Sequence, residues 1–181
     1  MRADLKEEIE IPEKTKVKLD KGIFTVEGSK GEVSKRLLNP KIKAEIKDNS
    51  IILSCEKASK REKTLMGAFK SHLNNLIKGA NQGHEYVLKI CSGHFPMKVT
   101  ASKEELVINN FIGEKHPRKL KLKPEVEVKL DNDQITVSST SKELAGQTAA
   151  DIEQITRRND YDRRIFQDGI YIINKDGKEI R

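Results

Sequence analysis

Apolar residues recur along this chain in two rhythms, and each rhythm occurs twice. In Ala44-Glu45-Ile46-Lys47-Asp48-Asn49-Ser50-Ile51-Ile52-Leu53-Ser54 they alternate with polar ones around an Asp-Asn step. Period two about such a step predicts a β-hairpin. Beyond it, Leu65, Phe69, Leu73 and Leu76 fall at intervals that share one face of a helix. Ser59-Lys60-Arg61-Glu62 precedes them with the spacing of a capping box, a hydroxyl for one orphan amide and a carboxylate reaching back to another. About eighty residues later the pattern returns. Glu127–Ser138 alternates around Asp131-Asn132, Thr140-Ser141-Lys142-Glu143 has capping-box spacing, and Leu144, Thr148, Ile152 and Ile155 repeat the helical intervals. Both helices carry a glycine two positions after the first apolar residue, Gly67 and Gly146. Upstream, Val17–Leu19 with Ile23–Val26 corresponds to Met97–Val99 with Leu106–Ile108.

A duplication of this kind predicts an α+β chain of two tandem domains, each of short antiparallel strands packed with one main helix. The Gly79-Ala80-Asn81-Gln82-Gly83 stretch reads as a turn or hinge between them. The expected division is an N-terminal repeat over 1–82, a C-terminal repeat over 83–175, and a short tail over 176–181.

Charge narrows the function. The 181 residues carry 35 Lys and Arg against 28 Asp and Glu, a formal charge of +7. The first 82 residues hold 18 basic and 12 acidic groups, while the remainder is nearly balanced but holds Arg157, Arg158, Arg163, Arg164 and Arg181. A basic, well-mixed surface suits a polyanion, and guanidinium forks suit phosphate in particular. Eight aromatic residues that must also fill cores argue against reading single strands by stacking, and favour shape and phosphate recognition of folded RNA. The longest tight apolar run, Ile51-Ile52-Leu53, is far short of the roughly 20 residues of a membrane span. The start, Met1–Glu8, lacks the apolar stretch of a secretory signal. Two cysteines make no disulfide framework. A cytoplasmic protein with no membrane partner is expected.

Enzymatic chemistry finds little support. Cys91 and His94 are near in sequence, but His84, His94, His116 and one cysteine on loops are poor zinc ligands, and nothing marks an oxyanion hole. Gly28-Ser29-Lys30-Gly31 lacks the spacing of a phosphate loop and reads as a tight turn, though Lys30 could meet an RNA phosphate. Neither a metal, a cofactor nor a small-molecule substrate is implied. The basic clusters are better candidates. Lys63, Lys70, Asn74 and Lys78 lie opposite the apolar face of the first helix, where a plain solvated face is the alternative. Glu114–Lys119 forms a proline-stiffened basic loop, and Arg157–Arg164 places four arginines within eight residues.

Those last segments resemble a known family. Gly146-Gln147-Thr148-Ala149-Ala150-Asp151-Ile152, Arg157-Arg158, and Arg164-Ile165-Phe166-Gln167-Asp168-Gly169-Ile170-Tyr171-Ile172 look like the C-terminal signature of protein six of the large ribosomal subunit, in its archaeal and eukaryotic form. Val26–Glu32 is similar to the family's N-terminal glycine turn, and Asn74-Asn75, Pro96 and His116-Pro117 also match. The resemblance covers nearly the whole chain. It implies a non-enzymatic constituent of the large ribosomal subunit, bound to large-subunit rRNA near the sarcin–ricin loop, beside neighbouring ribosomal proteins and translation factors. It also implies RNA contacts from the loops around Gly93–Lys98, Lys115–Lys119 and Arg157–Arg164. The candidate contacts are thus His94, Lys98, Lys115, His116, Arg118, Lys119, Arg157, Arg158, Arg163 and Arg164, with Lys30, Lys63 and Lys70 added from the residue pattern alone. A free module for another structured RNA, an enzyme using Cys91 and His94, and a protein scaffold with a merely solubilising surface are the competing readings.

Overall fold

The computed structural model describes residues 3–13, 15–47, 49–162 and 164–180. The chain forms two compact units, Met1–Gly83 and His84–Arg181. The first contains β1 (Ala3–Glu10), β2 (Lys16–Asp20), β3 (Ile23–Gly28), β4 (Gly31–Arg36), β5 (Lys43–Lys47), β6 (Ser50–Ala58) and helix α1 (Lys60–Asn81). Its strands make two antiparallel sheets in the orders β1-β6-β5 and β2-β3-β4. The alternation seen in the sequence sets which side chains face inward: Ile51, Leu53 and Cys55 of β6 are buried, with half-buried residues between them. Together with Phe24, Val26, Met66 and Leu73 they form the first core.

The second unit repeats the plan with β7 (His84–Cys91), β8 (Lys98–Ala101), β9 (Glu105–Asn109), a tight turn at Phe111–Gly113, β10 (Arg118–Lys121), β11 (Glu127–Asp131), β12 (Gln134–Ser139) and helix α2 (Lys142–Ile155). It then adds β13 (Gly169–Lys175) and β14 (Lys178–Glu179). These extend the larger sheet to β11-β12-β7-β13-β14, while β10-β9-β8 forms the smaller one. Leu88, Leu106, Ile108, Ile135, Val137, Ile152 and Ile170 form the second core. The segment 176–180 therefore contains the turn and return strand of a hairpin. Among the described residues no helix is long and apolar enough to cross a membrane.

Two local expectations are corrected. The Gly79–Asn81 stretch is the last turn of α1, not a hinge; Gln82 caps it through the carbonyls of Lys78 and Gly79, and the chain turns at Gly83, where φ is +79°. The second capping box does not form. Ser141, rather than Thr140, caps α2 by accepting from Leu144 N, which leaves Glu143 one position short of the place from which it could reach back. Most of the apolar stripe packs inward as expected, but the deepest positions also include Ala80 in α1 and Ala145 and Ala149 in α2. Small side chains let a helix approach a sheet closely, so size as well as hydropathy decides what lies at the contact. The Asp48 half of the first hairpin turn lies outside the described residues.

Candidate nucleic-acid interface

Three loops of the second unit converge on one corner: 92–97 after β7, 110–117 between β9 and β10, and 156–168 between α2 and β13. Polar side chains, of which Asp168 is buried, tie them together. Asp168, almost wholly buried, accepts from His94 N at 3.0 Å and from His94 Nδ1 at 2.6 Å. Burial pulls the Asp168 pKa up, but the hydrogen bonds from His94 and Gly93 outweigh it, and the group ionises below the ordinary carboxylate range. A carboxylate can only accept, so Nδ1 carries the His94 proton. Asn110 Nδ2 donates to Pro96 O at 3.0 Å and ties the first loop to the second.

Glu114 joins the second loop to the third. Arg118 grips it with Nε at 2.7 Å and Nη2 at 2.6 Å, and Arg158 Nη2 lies 3.7 Å from the same carboxylate. The Arg118 hydrogen bond is the main cause of a lowered Glu114 pKa, opposed by burial and helped by the charges of Arg118 and Arg158. Arg118 Nη1 also donates to the carbonyl of Ile155 at the end of α2. That helix has no basic residue in its own last turn, so a cation borrowed from β10 meets its negative pole. The Arg118 guanidinium lies 4.4 Å from the centroid of the Phe111 ring. The turn beneath is constrained: Asn110, Ile112 and Gly113 all have left-handed backbones, with φ of 57°, 46° and 75°. For a β-branched residue such as Ile112 this conformation costs on the order of 1–3 kcal/mol, held in place by the packing around it.

The anticipated contact residues fall into distinct groups. Lys98, Lys115, His116, Lys119 and Arg157 are exposed at or beside this corner, without an ion-pair partner among the described residues. Arg164 is exposed too, held in a fork with Asp162, whose pKa is lowered chiefly by that bond. Arg158 stacks 4.5 Å over the Tyr161 ring. Arg118 has its donors engaged inside the unit, and its role is to hold the corner together. His94 similarly positions the 166–168 segment. Arg163 lies outside the described residues.

The other three candidates belong to the first unit. Lys63 is exposed, whereas Lys70 is bonded to Glu7 at 2.6 Å. Lys30 sits in the glycine turn, which has a structural task. Lys30 N donates to Ala80 O and Ser29 Oγ to Asn81 O, capping the end of α1. A Cβ at Gly28 would lie 2.6 Å from Ala80 O, so only glycine permits that approach.

Sequence reasoning missed Glu114 and Asp168 as organisers of the corner. Neither pairing was a readable signal: Glu114 and Arg118 flank a non-helical, proline-containing loop, where an i,i+4 spacing does not by itself bring side chains together, and Asp168 and His94 are 74 residues apart. The eight aromatics were expected to help fill the cores, and half of them do not. Phe95, Tyr161, Phe166 and Tyr171 lie outside both. Tyr161 meets Phe166 edge-on at 4.9 Å, and Phe166 lies 4.8 Å from the His94 ring. No cluster of His, Cys, Asp or Glu among the described residues is arranged to hold a metal ion.

The class of protein is therefore one with two copies of a single α+β repeat, the second extended by a loop and strand that build a basic, aromatic corner. A sequence model for ribosomal protein L6 matches residues 11–83 and 95–169, one repeat in each unit. Curated relatives named large ribosomal subunit protein uL6 agree. That of Methanosarcina mazei is 46% identical over 167 residues, 92% of this chain and 95% of the relative. Those of Halobacterium salinarum and Methanobrevibacter smithii are 41% and 40% identical, covering 94% and 96% of this chain and 96% and 98% of their own lengths. The chain belongs to the ribosomal protein L6 family.

Proposed function

We propose that the protein is a non-enzymatic structural constituent of the large ribosomal subunit in the cytoplasm, bound to large-subunit rRNA through the corner of its second unit. Neighbouring ribosomal proteins are its other partners. The rRNA region proposed is the one near the sarcin–ricin loop, with translation factors passing close by. The observation that carries the reading is the convergence of three loops that present Lys115, Lys119, Arg157 and Arg164 outward while Glu114 and Asp168 lock the loops from within. Such an arrangement lets cations meet phosphates without first ordering the loops that bear them, so less entropy is lost on binding. Lys63 and Lys30 supply further contacts from the first unit.

Sedimentation of lysate at low and high salt tests the assignment. Comigration with the large subunit at both salts is expected, and migration at the top of the gradient at both would overturn it. Loss at high salt alone would favour a loosely bound factor for structured RNA. In direct binding to large-subunit rRNA, Arg157→Gln combined with Arg164→Gln should flatten the salt dependence by about 0.7–0.9 per lost phosphate contact. An unchanged slope in the folded variant would remove the arginines from the interface.

A further inference from the structure

The same corner contains a cavity of about 380 Å³ that phosphate binding does not explain. Phe111, Tyr161, Phe166 and Tyr171 line it, with Arg157 and Glu153. In a chain with only eight aromatic residues, four rings on one cavity are a concentration that core packing does not require, since three of them lie outside both cores. Tyr171 stays 41% exposed. Its ring rests against Gly169, where an added Cβ would come within 3.1 Å of it, so a bare backbone position gives the ring its seat. The row His94–Phe166–Tyr161–Arg158 is fixed by ring contacts and by the Asp168 bond. Tyr171 keeps an accessible ring beside Phe166 and Tyr161, in a lining that also carries Gln154, Thr156 and Arg158, and this mixture suits a planar ligand held by its π-face and its polar edge.

The charge beside the cavity identifies the ligand. Arg157 lines it with a guanidinium that has no acidic partner among the described residues. The Asp168 carboxylate in the wall is already committed to His94, which reduces its repulsion of an anion. Glu153, also in the lining, adds an acceptor of the kind an exocyclic amine would donate to. A volume inside the range of about 300–1,000 Å³ typical of small-ligand sites is ample for a nucleobase.

We propose that this cavity takes one unpaired nucleotide of the bound RNA, its base on the tyrosine and phenylalanine rings and its phosphate on Arg157. The inference rests on the RNA-binding reading above and adds to it a site for an extruded base. Extruding a base costs unstacking energy, and a preformed ring-lined cavity offsets that cost.

The test uses the full-length protein and large-subunit rRNA extracted from the source cells, with affinity measured across a salt series. Tyr171→Ala should weaken binding about 5- to 150-fold, the range for losing one base stack, with the salt slope unchanged. Tyr171→Phe should restore affinity. Ala150→Leu, which narrows the cavity from α2 without removing a ring, should weaken binding in the same way and covers the case in which Tyr171→Ala does not fold. Ultraviolet crosslinking of intact large subunits should join Tyr161, Phe166 or Tyr171 to a single nucleotide. Wild-type affinity in both Tyr171→Ala and Ala150→Leu, with normal salt dependence, would overturn the base site and leave the RNA reading standing. A crosslink to another protein instead would overturn it also. Absence of salt-dependent rRNA binding by the unmodified protein would instead sink the RNA reading itself.

Discussion

In the first unit the β1-β6-β5 sheet ends at β1, which has no strand on its outer side among the described residues; in the second the corresponding strand, β7, lies between β12 and β13. Their residues reflect the difference. β1 carries Asp4, Lys6, Glu7, Glu8 and Glu10, and charged side chains protect an open edge from pairing with other chains. β7 carries Tyr86, Val87, Leu88 and Ile90, as a strand flanked on both sides does. The copies also differ in their helices, 22 residues against 14, and in the segment after each helix. After α1 the chain passes directly into the next unit. After α2 it makes a long basic loop and returns as β13. One added segment thus completes a sheet and builds the corner assigned to RNA.

Breaking the added strand has the largest expected effect. Ile170 is fully buried, and Thr156 Oγ1, itself bonded to Glu153 O, accepts from its backbone amide. Ile170→Ala should destabilise the second unit by about 2–5 kcal/mol and leave the first unchanged. Hydrogen exchange followed separately in each unit would show it; equal loss of protection in both would mean that the units do not fold independently.

Glu114→Gln asks whether the corner works by charge alone or by held geometry. It makes the protein more basic, yet it removes the grip on Arg118 and Arg158 and should cost about 1–3 kcal/mol in stability. Affinity for rRNA should fall despite the added positive charge. A rise in affinity would show that the charge count matters more than the locked loops.

The two helix starts offer a smaller contrast, in acid. Glu62 has its pKa lowered to about 2 from 4.5, mainly by the Ser59 hydroxyl and then by Lys41 and the Ser59 amide, whereas α2 has no equivalent box. A depressed carboxylate stabilises the folded state above its unfolded pKa and loses that contribution as pH falls through the folded one. Glu62→Gln should therefore lower the melting temperature of the first unit near neutrality, with the gap to wild type closing between pH 4.5 and 2. A gap that persists at the lowest pH would assign the effect to packing instead.

The smallest contrast concerns the paired helix glycines. A Cβ at Gly67 meets nothing within 4 Å, while at Gly146 it would lie 3.1 Å from the Tyr86 hydroxyl. Gly67→Ala should stabilise its unit by about 0.5–1 kcal/mol through reduced backbone entropy in the unfolded chain. Gly146→Ala should gain less or destabilise, as thermal melts of the two variants would reveal.

Much of this was readable along the chain because it depends on neighbours in sequence. Period-two alternation sets the inward faces of β5, β6, β11 and β12, and the Ser59–Glu62 spacing sets the start of α1. The repeat was visible because both copies obey the same local rules. The second helix start was misplaced by one residue because Thr140 and Ser141 are both competent caps, and only the bond to Leu144 N shows which one is used. The basic loops were legible as composition, but the sequence could not separate Arg157, which is exposed, from Arg118, which is engaged by Glu114, Ile155 and Phe111.

By itself, then, the sequence determined the elements, the duplication, the family and the positive charge, all of which depend on short-range periodicity and residue type. Tertiary structure alone decided that β13 would cover β7, that Asp168 would hold His94, and that four scattered aromatic residues would line one cavity. The physical reason is separation along the chain. Contacts across 37 or 74 residues leave no periodic trace, because any of several loops could meet in principle and only the packed sheets bring these particular ones together.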